Sequence, residues 1–138
     1  MLIRNATYHD APAIKVLLEA LGYQTSFSLL VDQLEPLFGK DGHQVFVYEE
    51  KKEVTGFVSV HYLPQLAFTG GLAVISYLSA DEVGTAQALE SYVVEQARLK
   101  RCERIQVHCL DWRTPVHQFY LQQGYIEYPK YFTKPLAR

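Results

Sequence analysis

The chain has 138 residues, 49% of them hydrophobic and 20% charged, with a formal net charge of −2. A chain of this size can bury roughly 70% of the surface its unfolded form exposes, and the balance excludes disordered and coiled-coil proteins. The single basic cluster, Arg98, Lys100, Arg101 and Arg104, suits a solvated helix end where cations meet the last carbonyls, so binding to duplex nucleic acid is not expected.

Cys102 and Cys109 are the only cysteines and match no zinc-ligand spacing, which predicts no disulfide framework, no metal site and a reducing compartment. The start, Met1-Leu2-Ile3-Arg4-Asn5, lacks the long apolar stretch of a signal peptide, and about 18 apolar residues never run together. These features predict a cytoplasmic protein with no membrane span and one domain over residues 1–138.

In chain order, Leu2 to Ala6 reads as a first strand, and Asp10 before Ala11-Pro12 as a helix N-cap with proline in the first turn. Ile14, Leu17, Leu18 and Leu21 recur at helical spacing until Gly22. Leu29, Leu30, Leu34 and Leu37 predict a second helix from Ser26, broken at Pro36 and stopped by Gly39. His43 to Glu49 and Val54 to Tyr62 are rich in β-branched and aromatic residues, and the charged run between them predicts a hairpin. Pro64 to Gly71 is a loop. Leu72 to Leu78 (LAVISYL) is nearly all apolar, as in a central strand covered on both faces.

The period then changes. Ala86, Leu89, Val93 and Ala97 line one stripe of a helix ending near Lys100. Arg104 to Leu110 alternates like a strand, Thr114 to Gln123 reads as a shorter helix stopped by Gly124, and Tyr125 to Leu136 supplies two more strand pieces around Pro129.

The strand-to-helix turn Asp81-Glu82-Val83-Gly84-Thr85-Ala86 is the chemically suggestive feature. The first N–H groups of a helix lack internal partners and sit at the positive end of its dipole, so they suit a phosphate that Gly84 and Ala86 would let approach. A turn's own steric demand is the other reason for such a glycine.

Downstream, Phe119-Tyr120-Leu121-Gln122-Gln123-Gly124-Tyr125 closes a helix onto a strand. Here the sequence resembles the GNAT superfamily of acyl-coenzyme A dependent N-acetyltransferases, whose F-Y-x-x-x-G-[FY] segment follows the fifth strand. The resemblance covers essentially the whole chain, from Ile3-Arg4-Asn5-Ala6-Thr7 onward. The tail from Phe119 to Leu136 looks like the aminoalkylphosphonate N-acetyltransferase branch.

This resemblance implies an α/β (α+β) fold, with a mixed, mostly antiparallel sheet of six to seven strands and about four helices. It implies acetyl-CoA as cosubstrate, a small-molecule amine as acceptor, and the turn as pyrophosphate loop, with Val83, Gly84, Thr85 and Ala86 as cofactor-binding residues. The family pattern is [QR]-x-x-G-x-[GA]; this chain departs from it at Asp81. Asp81 and Glu82 would set two carboxylates beside a diphosphate unless both face solvent, although acids also stabilise any helix start.

The fourth strand would splay from the fifth and hold the acyl carbonyl oxygen on a main-chain N–H near Tyr77 or Leu78. Tyr120 matches the tyrosine implied to protonate the leaving thiolate, and could equally pack its ring with the hydroxyl at the surface. Many relatives carry a strand-four glutamate; Leu72 to Leu78 has none, which leaves His61, His108 and Asp111 as candidate bases, acting directly or through water. Each histidine could instead be structural. Cys109 reads as a small buried hydrophobe. The first two helices and the Pro64–Gly71 loop would line the acceptor site with Tyr23, Phe27, His61, Tyr62 and Phe68. The departures leave open an alternative, a GNAT-fold binding or regulatory module without catalysis, which could be a homodimer.

Overall fold

β1 (Leu2–Asn5) opens the chain in the computed structural model, which describes residues 2–39, 41–67, 69–108, 114–127 and 132–136. A 3-10 turn (Tyr8–Asp10) leads into α1 (Ala11–Ala20), and α2 (Phe27–Leu34) is prolonged by a 3-10 turn at Glu35–Leu37. Then come β2 (His43–Glu50), β3 (Glu53–Leu63), β4 (Gly71–Ala80), α3 (Val83–Leu99), β5 (Cys102–Val107) and α4 (Thr114–Gln122). The chain divides after His108 into two compact units.

In the first unit the strands lie in sequence order, β1-β2-β3-β4-β5, antiparallel except for the β4–β5 pair, which is parallel because α3 carries the chain back between them. This is the mixed α+β class expected. Five strands form among the described residues, fewer than the six to seven expected. The pieces anticipated over 125–136 are not strands where they are described: the Tyr125 N–H is taken by the Tyr120 carbonyl at 3.0 Å, and Pro135 has no N–H to give a ladder.

Period-2 alternation splits the apolar residues between two faces. Val45, Val47 and Phe57 point to α1 and α2, where Ile14, Leu17, Leu30 and Leu34 cover them. Phe46, Val58, Val60 and Ile75 point the other way, under Leu89, Val93 and Ala97 of α3. The helical stripe read from the sequence is thus the buried face of α3. Its seat depends on Gly56 of β3, where a Cβ would lie 2.9 Å from both Thr85 Cγ2 and Leu89 Cδ1. Only a residue without a side chain lets the first turn of α3 settle so close to the sheet.

Asp10 stands at the N-cap position of α1 without capping it. Its carboxylate turns back to accept from the Thr7 N–H at 2.8 Å and from the Arg4 guanidinium at 2.8 and 2.9 Å, and Arg4 also donates to Glu49 at 2.8 Å. Burial alone would raise the Asp10 pKa, but these donors carry it below 3.8. The network ties β1 to the head of α1 and to β2. At the far end of α3 the basic cluster is exposed as expected, and Arg101 adopts φ 62° where the chain reverses into β5.

In the second unit, α4 ends at Gly124 (φ +96°), whose N–H bonds the Leu121 carbonyl at 3.1 Å. The reversal folds Tyr125 back, so the Tyr120 ring lies between Phe119 (5.2 Å) and Tyr125 (5.3 Å), edge to face with both. The F-Y-x-x-x-G-Y spacing is therefore a helix stop that clasps its own tyrosine.

Candidate active site

Among the described residues, β4 is longer than its parallel ladder with β5. The ladder with β5 closes at Ile75–Val107, while β4 runs on to Ala80. Cover is lost at the same point: Ser76 and Tyr77 are exposed, against the sequence expectation of a strand buried on both faces. Beyond that pair the strand carries main-chain groups that no described residue of β5 takes up. Leu78 keeps its side chain in the α3-side core, so it can offer backbone alone.

The strand delivers the chain to the turn. The Asp81 N–H is anchored on the Thr55 carbonyl at 2.9 Å, Glu82 is the N-cap, and α3 begins at Val83. The Ala86 N–H already closes the first helical turn on the Glu82 carbonyl at 3.1 Å. Of the four donors expected, Val83, Gly84 and Thr85 are therefore the ones without an acceptor inside the helix. The Thr85 side chain is buried, whereas Val83 and Gly84 are exposed.

Gly84 decides between the two explanations for a glycine here. It sits in ordinary helical backbone, and among the described residues a Cβ at this position would meet nothing within 4 Å. Neither a turn's steric demand nor a close neighbour requires it, and an exposed helical glycine costs about 0.5–1 kcal/mol relative to alanine. The opening fits an approaching anion. Asp81 and Glu82 are both exposed, and Glu82 makes no side-chain cap bond, which is the arrangement that lets two acids stand at the turn.

Beside the exposed part of β4 lies a hydrogen-bonded chain that the sequence revealed only in part. His43 Nδ1 is 2.7 Å from His61 Nδ1, His61 Nε2 is 3.0 Å from Ser76 Oγ, and Ser76 Oγ donates to the Ser59 carbonyl at 3.2 Å. Two bulges assemble it. Glu50 faces Glu53 and Glu49 faces Val54, but Tyr48 faces Gly56, so Thr55 is an extra residue that moves the rest of the hairpin by one and sets His43 opposite His61. Without it His43 would face Val60. On β4, Ser59 faces Tyr77 and Val60 faces Ile75, which makes Ser76 the extra residue and brings its hydroxyl to His61.

Burial, and secondarily the charge of His43, push the His61 pKa below 6.5, so its imidazole is neutral at pH 7 and available to handle a proton. His43 and Ser76 were not among the sequence candidates. The signal for them is the hairpin register, and the bulge at Thr55 hides that register from a simple count.

Tyr23, between α1 and α2, stands edge to face on Tyr77 at 5.3 Å, and Phe27 is exposed at the head of α2. α1 is held over β4 by the Ser79 hydroxyl, which donates to the Leu17 carbonyl at 2.9 Å. Tyr62 does not belong to this aromatic side. Adjacent to His61 in β3, it points to the opposite face, donates to Gln44 at 2.7 Å and lies under Lys100 Nζ at 5.0 Å. His108 follows the last residue of β5 and is exposed. Phe68, Cys109 and Asp111 lie outside the described residues, and Tyr120 belongs to the second unit.

A family model described as the acetyltransferase (GNAT) family matches residues 11–125, more than half of the chain. The chain belongs to this family. No curated protein matches its sequence. Among solved structures, the GNAT chain is similar to a transcriptional regulator from Bacillus halodurans C-125, with 18% identity, a TM-score of 0.87, and 98% of this chain and 99% of that one covered. It is also similar to an aminoglycoside acetyltransferase from an uncultured soil metagenomic sample, solved with trehalose, with 19% identity, a TM-score of 0.80, and 99% and 96% covered. A structure of that enzyme with sisomicin gives 18% identity, a TM-score of 0.78, and 99% and 96% covered. At these identities the structural neighbours establish the GNAT fold and nothing finer. Among the described residues, no helix is long and apolar enough to cross a membrane.

Proposed function

We propose that this GNAT protein is a cytoplasmic N-acetyltransferase that moves the acetyl group of acetyl-CoA onto the amine of a small-molecule acceptor by direct attack in a ternary complex. The observation that carries the reading is the run from β4 into α3: a strand that continues past its described ladder with β5, feeding a helix head opened by a glycine that no described neighbour requires. Acetyl-CoA would supply the acyl group as an activated thioester. The N–H groups of Val83, Gly84 and Thr85 would hold its diphosphate, with Ala86 as a small neighbour, and main-chain groups at Tyr77 and Leu78 would hold the acyl carbonyl oxygen.

The acceptor amine must lose a proton to become a nucleophile, and His61 beside Ser76, its pKa pushed down by burial, would supply a neutral base; His108 and Asp111 remain further candidates. Tyr120 would return a proton to the departing sulfur. The rim of Tyr23, Phe27 and Tyr77 favours a small, partly apolar amine. The tail's resemblance to aminoalkylphosphonate acetyltransferases and the structural likeness to an aminoglycoside enzyme name two narrower acceptors. Thiol release from acetyl-CoA tests all three, with phenethylamine, an aminoalkylphosphonate and sisomicin as probes. Turnover of at least one supports the proposal, and turnover of none contradicts it.

Asp81, where the family has Gln or Arg, favours a second reading: a binding or regulatory module without catalysis, alone or as a homodimer. Turnover of any amine by the pure protein, abolished in Tyr120→Phe, decides against it.

A further inference from the structure

We propose that Ser76 is a nucleophile: when no amine is present it takes an acyl group onto its Oγ and passes it to water, a hydrolytic activity on small activated esters and thioesters. The source of the acyl group rests on the acetyltransferase reading; the choice of nucleophile rests on geometry.

His61 Nδ1 is 2.7 Å from His43 Nδ1, and His61 Nε2 is 3.0 Å from Ser76 Oγ, so both ring nitrogens are engaged. A proton that His61 takes up at Nε2 therefore comes from the Ser76 hydroxyl or through it. That hydroxyl has one hydrogen and two acceptors, the Ser59 carbonyl at 3.2 Å and the nearer His61 Nε2. Turned to His61, it completes the arrangement of an activated nucleophile, a hydroxyl on a base and the base on a third group that orients it. The contact between the two Nδ1 atoms holds a single hydrogen. When His61 supplies it, His43 accepts, and the lone pair of His61 is left on Nε2, facing Ser76. Burial keeps the His61 pKa below 6.5, as a base for this step requires.

Ser76 differs from Ser79, the other serine of β4. Ser79 is buried and donates to the Leu17 carbonyl, whereas Ser76 is exposed. Ser76 is also the extra residue of a bulge, a device that re-aims a side chain out of the strand's alternation. Only its Cβ, Cα and carbonyl carbon stand between its Oγ and the Tyr77 nitrogen, one of the groups proposed to hold the acyl oxygen. A carbonyl seated on that nitrogen is within reach of Oγ by covalent geometry alone.

In the first step Ser76 Oγ bonds to the acyl carbon as its hydrogen passes to His61 Nε2, and the carbonyl electron pair moves onto oxygen, where main-chain N–H groups receive it. The C–S bond then breaks with its pair going to sulfur, which takes the proton from His61 and leaves as thiol. Water repeats the sequence. It adds to acetyl-Ser76 while His61 takes its proton, the bond from carbon to Oγ breaks, Oγ recovers the hydrogen, and acetic acid departs.

The test uses p-nitrophenyl acetate, an activated ester that needs no diphosphate cradle, with the intact protein and no amine. Quenched mass spectrometry is expected to find one acetyl group, mapped to Ser76, and to find none in Ser76→Ala. His61→Gln is expected to slow acylation about 100-fold. His43 is a positioning residue here, so His43→Gln is expected to lower kcat while leaving the KM for the ester unchanged. Acetyl groups found only on other side chains, or ester turnover that survives Ser76→Ala, overturn the proposal. Acetyl-CoA as a second donor keeps the two readings apart. Acetyl-Ser76 from the ester, with neither acylation nor binding from acetyl-CoA, overturns the acetyltransferase reading and leaves the nucleophile standing. Amine acetylation by acetyl-CoA, with no acetyl-Ser76 from either donor, overturns the nucleophile and leaves direct attack.

Discussion

Replacing Gly84 with alanine separates the needs of the fold from those of the ligand. Among the described residues an alanine Cβ there meets nothing within 4 Å, and the residue is the second of α3 in helical backbone. The substitution should therefore stabilise the free protein by about 0.5–1 kcal/mol, through restricting the unfolded chain and improving helix propensity. For a chain of this size that is a rise in Tm of about 2–4 °C. The same methyl stands among the Val83, Gly84 and Thr85 N–H groups. Weakening one hydrogen bond to a charged phosphate costs about 1.5–3 kcal/mol, or roughly 10- to 150-fold in Kd. Differential scanning fluorimetry and isothermal titration with acetyl-CoA on both proteins read the two effects. A variant that is more stable and binds acetyl-CoA as tightly as wild type refutes the ligand explanation of this glycine, and a less stable variant refutes the steric reading.

Gly56→Ala acts in the opposite sense: its Cβ would stand 2.9 Å from Leu89 Cδ1 and Thr85 Cγ2, so α3 must lift. We expect a loss of about 1–3 kcal/mol by denaturant unfolding together with weaker acetyl-CoA binding; unchanged stability would mean that the helix head yields freely. Thr55 Oγ1 is buried with no hydrogen-bond partner among the described residues, at the bulge that sets the hairpin register. Thr55→Val should therefore raise stability by about 1 kcal/mol at unchanged m-value, and a loss would reveal a partner for the hydroxyl. The folded-state pKa of His61 lies below 6.5, so between the two values the unfolded chain binds more protons. Its contribution to stability is present above pH 6.5 and lost as the pH falls through the folded pKa. Denaturant midpoints against pH should fall in that window, and less steeply in His61→Gln.

Much of this molecule is legible in its sequence because the signals are local. Helical spacing gives α1, α2 and α3, β-branched and aromatic runs give β2, β3 and β4, and the change of period at Asp81 marks the turn on which the functional reading stands. The missed features arise from interactions between elements. Asp10 looks like a cap, yet its carboxylate answers Arg4, a residue on β1 that spacing along α1 cannot reveal. Tyr62 looks like part of an aromatic wall, but alternation along β3 puts it on the face opposite His61. The pairing of His43 with His61 depends on a single extra residue at Thr55, and strand patterns locate strands without counting such insertions. Gly84 was visible as a glycine; only the empty space around its absent Cβ says why it is one.

On the proposed function, the head of α3 and the stretch of β4 beyond its described ladder with β5 together receive acetyl-CoA. Amide chemical-shift mapping during an acetyl-CoA titration tests it most directly. Saturable shifts are expected, concentrated at Val83, Gly84 and Thr85 and at Tyr77 and Leu78. No shifts at millimolar acetyl-CoA, or shifts confined to residues elsewhere in the chain, would contradict it.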